Sequence, residues 1–116
     1  MKVERGEIWL ASLDPTQGSE QAGTRPIIIF QENTVSKFTS TIITIPLTTN
    51  LRRVALPTCF LISNGQGGLN QDSVALCHQL RVLDKTRLIK RIGQLDFEVI
   101  TRLESIVLFT LGYTDQ

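Results

Sequence analysis

The sequence predicts a mainly β, α+β chain: a small, strongly bent antiparallel sheet or half-open barrel of five or six short strands, closed by one C-terminal helix. Three observations predict it. Short runs rich in β-branched and aliphatic residues recur through residues 7–95, punctuated by Gly, Pro, Asn and Ser. One stretch with helical spacing follows, carrying Val99, Ile100, Leu103, Ile106 and Val107. The 116 residues leave room for a single domain, 1–116, around one core.

Each element has its own signal. Glu7 to Leu13 alternates around Trp9 and suits a first strand. Asp14 to Thr24 holds Pro15, Gly18 and Gly23 and is long for a loop in so small a domain; loops of this kind tend to bind or gate. Pro26 opens a second strand through Phe30, and Gln31 to Lys37 is a polar turn or helical turn. Thr41 to Leu47 is a third strand in which Pro46 marks an edge, a bulge or the strand end. A connection with Arg52 and Arg53 leads to a fourth strand, Thr58 to Ile62, and a glycine-rich loop from Asn64 to Gly68. Ser73 to Val82 reads as a fifth strand and Leu88 to Leu95 as a shorter sixth. Asp96 is placed to cap the helix, Glu98 to complement its dipole, and Gly112 to stop it.

Composition narrows the class of function. Hydrophobic residues at 41% and charged residues at 20% are ordinary for a soluble globular protein, and no aliphatic run approaches the ~20 residues of a membrane span. The charged start, Met1 to Glu7, does not resemble a secretory signal. Cys59 and Cys77 lie in apolar strand-like stretches, which predicts two buried free thiols and a cytoplasmic setting. A net charge of +1 argues against nucleic-acid binding by bulk electrostatics, but Arg81, Lys85, Arg87, Lys90 and Arg91 cluster around a single acid, Asp84. From charge alone, a solvated surface explains that segment.

Few residues can do chemistry. With one histidine and two distant cysteines there is no zinc spacing, and the carboxylates are scattered, so neither metal nor cofactor is expected. His78 falls in strand phase with Val74, Leu76 and Leu80, as a packed or partner-facing residue. Trp9, within a regular strand, reads as core. What remains is the loop Gly18-Ser19-Glu20-Gln21-Ala22-Gly23-Thr24-Arg25-Pro26. An arginine where a loop enters a strand can present its planar fork to a phosphate, or it can bridge to Glu20.

This segment, with Arg5-Gly6-Glu7-Ile8-Trp9 before it, resembles the N-terminal signature of the MazF/PemK toxin endoribonucleases. The resemblance continues at Ile45-Pro46-Leu47-Thr48-Thr49, at Leu56-Pro57-Thr58 and along Asp72 to Lys85, in the family's order. It implies an SH3-like barrel with a C-terminal helix, acting as a homodimer on single-stranded RNA and neutralised by a cognate acidic antitoxin. Arg25 and Thr48 match the principal catalytic positions. The implied reaction is metal-free: the ribose 2′-OH attacks the adjacent phosphorus, giving a 2′,3′-cyclic phosphate and a 5′-OH. Glu20 and Gln21 orient Arg25 or contact the strand, and Gln79 matches a position that contacts bases. Ser73, Gln79 and Arg81 share one face of the predicted fifth strand, with a plain exposed strand serine the equal alternative for Ser73. Arg52 and Arg53 hold phosphates or keep the loop soluble. The recognised RNA word belongs to loops Asp14–Thr24, Lys37–Thr41 and Ser63–Asn70.

Two other readings compete. One is a gyrase poison on the same fold, like CcdB, which catalyses nothing and needs a Trp-Gly-Ile tail where this chain ends Tyr113-Thr114-Asp115-Gln116. The other is a catalytically silent RNA- or antitoxin-binding module, against which the presence of both Arg25 and Thr48 speaks.

Overall fold

The structure is a computed structural model and describes residues 2–113; Thr114 to Gln116 of the tail lie outside the described residues. Seven antiparallel strands and a C-terminal helix give the expected mainly β, α+β architecture. The strands are β1 (Glu7–Ser12), β2 (Thr24–Ile29), β3 (Thr41–Thr48), β4 (Cys59–Ile62), β5 (Ser73–Leu76), β6 (Arg81–Asp84) and β7 (Leu88–Gln94). A short helix α1 (Asn33–Ser36) follows β2, and α2 (Phe97–Thr110) follows β7. The sheet order is β4-β5-β3-β2-β1-β7, with β6 also paired to β3.

β3 is where the sheet divides. Its first half, Thr41 to Thr44, pairs with β6, and its end, Leu47 and Thr48, pairs with β5. Pro46 sits between the two pairings, where its missing N–H costs no ladder bond. The continuous fifth strand expected over Ser73–Val82 is therefore two strands. A 3-10 turn at Cys77–Gln79 separates them, with the Cys77 amide donating to the Thr58 carbonyl at 3.0 Å and the Leu80 amide to the Cys77 carbonyl at 3.2 Å. Strand phase does not carry across that break, so Ser73 and His78 do not share faces with the residues assigned to them by alternation.

The core occupies both faces of the central strands. On one face α2 lays Val99, Ile100, Leu103 and Val107 over Ile8, Ile28, Ile45, Leu47 and Ile62. On the other, Trp9, Ala11, Leu13, Ile27, Ile29, Ile42, Leu83 and Leu88 pack with Val3. Each fully buried aliphatic side chain contributes roughly 1.5–3 kcal/mol. α2 begins at Asp96, whose carbonyl accepts the Val99 and Ile100 amides while its side chain caps nothing. It ends as expected at Gly112, in the left-handed region at φ +92°, with the Tyr113 amide reaching back to Leu108 and the Gly112 amide to Phe109. Arg5 fastens the helix to the sheet: it bridges Glu104 at 2.7 Å, donates to the Phe30 carbonyl and lies over the Phe30 ring.

Candidate active site

Register brings the two predicted catalytic residues together. β2 and β3 pair as Ile29↔Thr44, Ile28↔Ile45 and Ile27↔Pro46. Carried two residues further, to where the strands part, the same register sets Arg25 across from Thr48. Because side chains alternate, Arg25 points with Ile27, and Thr48 with the Val74 it faces in β5, away from the face that α2 covers. An arginine at the end of the long loop and a threonine at the end of a later strand thus lie on the same side of the sheet.

Each of the two is oriented by a backbone group. The Arg25 Nε–H donates to the Ala22 carbonyl at 3.0 Å, which turns the guanidinium and leaves both terminal amino groups outward. Arg25 is exposed and forms no ion pair among the described residues, so the bridge to Glu20 does not form. Instead the Glu20 carboxylate accepts from the Gln17 amide at 2.6 Å and closes its own turn at the loop tip. The Thr48 hydroxyl oxygen accepts from the Asn50 amide at 3.2 Å, so the hydroxyl proton is free to be given to a ligand oxygen. The Asn50 side chain in turn caps the 3-10 turn of Leu51–Ala55, accepting from the Arg52 amide. Sequence reasoning passed over Asn50, although Thr-Thr-Asn after a strand is a recognisable local turn signal.

Two glutamines frame this pair. Gln79 accepts from the Gln21 amide at 2.7 Å and donates to the Ser19 carbonyl at 3.1 Å, while Gln21 donates to the Leu47 carbonyl at 2.9 Å. Both were expected near the site, and both side chains are engaged with backbone. The loop base is closed by Leu13 and Gly23, by the Asp14 carboxylate on the Gly23 amide, and by Arg87 on the carbonyls of Ser12 and Asp14. Nothing in the sequence pointed to that role for Arg87.

Other predicted residues lie apart. Ser73 is buried, 3% exposed, and its hydroxyl donates to the Gln71 carbonyl; it is neither an exposed strand serine nor aligned with Gln79. Arg81 pairs with Thr44, four positions back along β3 and so roughly 13 Å from Thr48 at the usual strand rise. One terminal nitrogen of Arg81 is buried without a hydrogen-bond partner among the described residues. His78 is exposed rather than packed, with Nδ1 2.9 Å from the Thr58 hydroxyl. Trp9 is core, and its indole donates to Glu7. Arg52 and Arg53 stand in the 3-10 turn beyond Thr48 and form no ion pair among the described residues.

Burial argues against either thiol as a nucleophile. Cys59 and Cys77 are free and buried. Burial, with the neighbouring Cys59 adding to it, pushes the Cys77 thiol up to about 12, and burial also raises Cys59. Among the described residues no group of three or more His, Cys, Asp or Glu side chains is placed to hold a metal ion. What the arrangement offers is an oriented cation and a hydroxyl donor on one face of the sheet, a combination suited to a phosphodiester.

Comparison with known proteins gives one answer. A family profile described as "PemK-like, MazF-like toxin of type II toxin-antitoxin system" matches residues 4–110. The chain is 35% identical over 115 residues to Endoribonuclease EndoA of Bacillus subtilis (strain 168), covering 99% of each. Its fold matches MazF from Deinococcus radiodurans with a TM-score of 0.83 at 19% identity, over 97% of this chain and 98% of that one. It also matches an endoribonuclease in complex with its cognate antitoxin from Mycobacterial species, with a TM-score of 0.81 at 18% identity over 98% and 99% of the two chains. At those identities the two structures speak for the fold alone.

Proposed function

The chain belongs to the PemK-like, MazF-like toxin family, and on that premise we propose that it is an endoribonuclease cutting single-stranded RNA by attack of the substrate's own 2′-OH, with Arg25 and Thr48 at the reacting phosphate. The observation that carries the reading is the opposition of Arg25 and Thr48 on one face, each already oriented by a backbone group and each with donors left over.

The chemistry asks for little more. The 2′-oxygen bonds to phosphorus, the bond from phosphorus to the 5′-oxygen breaks, and the 2′ proton is balanced by one gained at the leaving 5′-oxygen. The products are a 2′,3′-cyclic phosphate and a 5′-OH, and no water is consumed. Negative charge grows on the non-bridging oxygens as phosphorus becomes five-coordinate. A guanidinium fixed there beforehand stabilises that charge without reorganising. Thr48 donates to a phosphate oxygen and holds the in-line arrangement.

The partners follow from the same reading. A second copy would extend the short surface of one domain into a groove, and two-fold closure is the commonest arrangement of soluble homo-oligomers. A cognate antitoxin with an acidic segment would cover Arg25 by competing with RNA, as expected of a toxin stored beside its inhibitor. We place the activity in the cytoplasm; no helix among the described residues is long and apolar enough to cross a membrane.

The decisive experiment uses a short RNA with one 2′-deoxy nucleotide at the mapped cut. Cleavage should disappear while binding stays nearly intact, and chelator should change nothing. Normal cleavage of the deoxy substrate would mean an activated water and would overturn the assignment. Light scattering should give twice the 13.0 kDa of one chain.

A further inference from the structure

The tip of the first loop, residues 17–22, is tied to the body of the domain by two side chains. Gln79 holds the Ser19 carbonyl and the Gln21 amide, and Gln21 holds the Leu47 carbonyl. Among the described residues the only other hydrogen bond leaving the tip runs from Arg25 Nε to the Ala22 carbonyl. These contacts follow one another along the chain. With Ser19 and Gln21 fixed, the peptide at Ala22 is fixed, and Ala22 is what orients Arg25. At its other end Gln21 grips the residue just before Thr48.

We propose that Gln79, acting with Gln21, is a positioning residue for cleavage: it latches the loop so that the Ala22 carbonyl holds the Arg25 guanidinium across from Thr48. The inference rests on the reading of Arg25 and Thr48 as the reacting pair. An amide suits the task because one planar group carries both a donor and an acceptor, matching a carbonyl and an N–H two residues apart. The break between β5 and β6 gives the latch its direction. In a continuous strand Gln79 would stand off the sheet; the 3-10 turn at Cys77–Gln79 aims it at the loop instead.

The test combines kinetics on the full chain with amide hydrogen exchange of the free protein. Gln79→Ala should lower kcat roughly 10- to 100-fold, the range expected when a reacting group is displaced by about an ångström, with KM nearly unchanged and faster exchange at the Gln21 amide. Gln79→Glu keeps the acceptor for Gln21 but loses the donor to Ser19, and should recover part of the loss. In an Arg25→Ala background, Gln79→Ala should have little further effect, because both changes disable the same group. Should Gln79→Ala not fold, Gln79→Glu and Gln21→Ala carry the same comparison.

The proposal is overturned if Gln79→Ala raises KM or moves the cut sequence while the Gln21 amide stays protected; Gln79 would then read bases and position nothing. If the unaltered protein cuts no RNA, the cleavage reading fails by itself. The latch is then decided by exchange at Gln21 and by the Arg25 Nε–H resonance: a change in both on Gln79→Ala supports it, and none refutes it.

Discussion

The two ends of β1 are held together in different ways. At its start, glycines let the chain approach its neighbours closely: a Cβ at Gly93 would lie 2.2 Å from the Gly67 carbonyl oxygen, and one at Gly6 would lie 2.3 Å from the Ile100 side chain at Cδ1. A buried carboxylate completes that end, with Glu7 accepting from the Glu4 amide, the Trp9 indole and Arg91. At its far end the loop leading to Arg25 is held by glutamine, aspartate and arginine side chains reaching to carbonyls and amides. Close backbone contacts have little room to rearrange, whereas side-chain hydrogen bonds, worth about 1 kcal/mol net when neutral and roughly 1.5–3 with a charged partner, can be exchanged for those of a ligand. The rigid end fixes the sheet, and the adjustable end carries the proposed Arg25–Thr48 site.

The largest effect expected is on activity at the loop end. Arg25→Ala should lower kcat about 10²–10³-fold, the usual cost of one preorganised stabiliser of an oxyanion. Arg25→Lys should restore little, since an ammonium cannot make the two-pronged contact. Thermal and urea unfolding should change little, because the side chain is exposed and its one hydrogen bond, to the Ala22 carbonyl, is exposed as well. A loss of stability comparable with the loss of rate would erase the distinction between the two ends.

Gly93→Ala is the converse. Its new methyl group meets the Gly67 backbone from the other side, and neither strand nor turn can retreat without disturbing Ile8 and Leu95, which adjoin Gly67. The expected cost is about 3 kcal/mol of unfolding free energy, at the upper part of the range for overpacking. Urea midpoints measure it, and the fraction that stays folded should cleave at the normal rate.

Glu7→Gln should cost about 2 kcal/mol, because a charged acceptor of three donors becomes a neutral one that also brings donors of its own. Burial by itself would raise the Glu7 pKa, but the hydrogen bonds from Trp9, the Glu4 amide and Arg91, with the Arg91 charge, outweigh it and hold the group below its ordinary 4.5. A depressed folded-state pKa stabilises the fold above the unfolded value, and that contribution is lost as pH falls through the lower folded value. Stability of the unaltered protein should therefore drop below about pH 4.5, and the Gln variant should show a flatter acid limb. Equal acid limbs would remove Glu7 from the account.

Much of this division was legible in the sequence. Alternation around Trp9, the β-branched runs and the helical spacing of Val99, Ile100, Leu103 and Val107 located most elements within a few residues, because burial of one face imposes those periods. The break at Cys77–Gln79 was not legible. Ser73 to Val82 holds no Gly or Pro, and the turn is imposed from outside, by the Thr58 carbonyl on the Cys77 amide and by the loop on Gln79. A continuous strand aligns Ser73 with Gln79 and makes His78 packed or partner-facing; the break buries Ser73 and leaves His78 exposed, which removes only the packed alternative. The opposition of Arg25 and Thr48 could be suspected from family resemblance, but register across a long, irregular connection is a tertiary property that no local pattern encodes. The close contact of Gly67 with Gly93 is of the same kind: each glycine is visible, and their meeting is not.

The smallest effect tests how finely the adjustable end is tuned. Thr48→Ser keeps the hydroxyl and the acceptor for the Asn50 amide, and loses only the methyl group that restricts the χ1 rotation of threonine. If Thr48 acts by donating from one held rotamer, the cost is that of restoring the rotamer, roughly 0.5 kcal/mol or about twofold in kcat. KM should stay unchanged, because the hydrogen bond itself survives. Thr48→Ala, which deletes the donor, should fall about tenfold or more, as expected for a hydrogen bond to a charged partner. Equal losses for the two variants would assign the methyl group, and not the hydroxyl, as the part of Thr48 that matters. The residue would then support the strand end by packing, as the residues at the other end of β1 do, and Arg25 would face the phosphate alone.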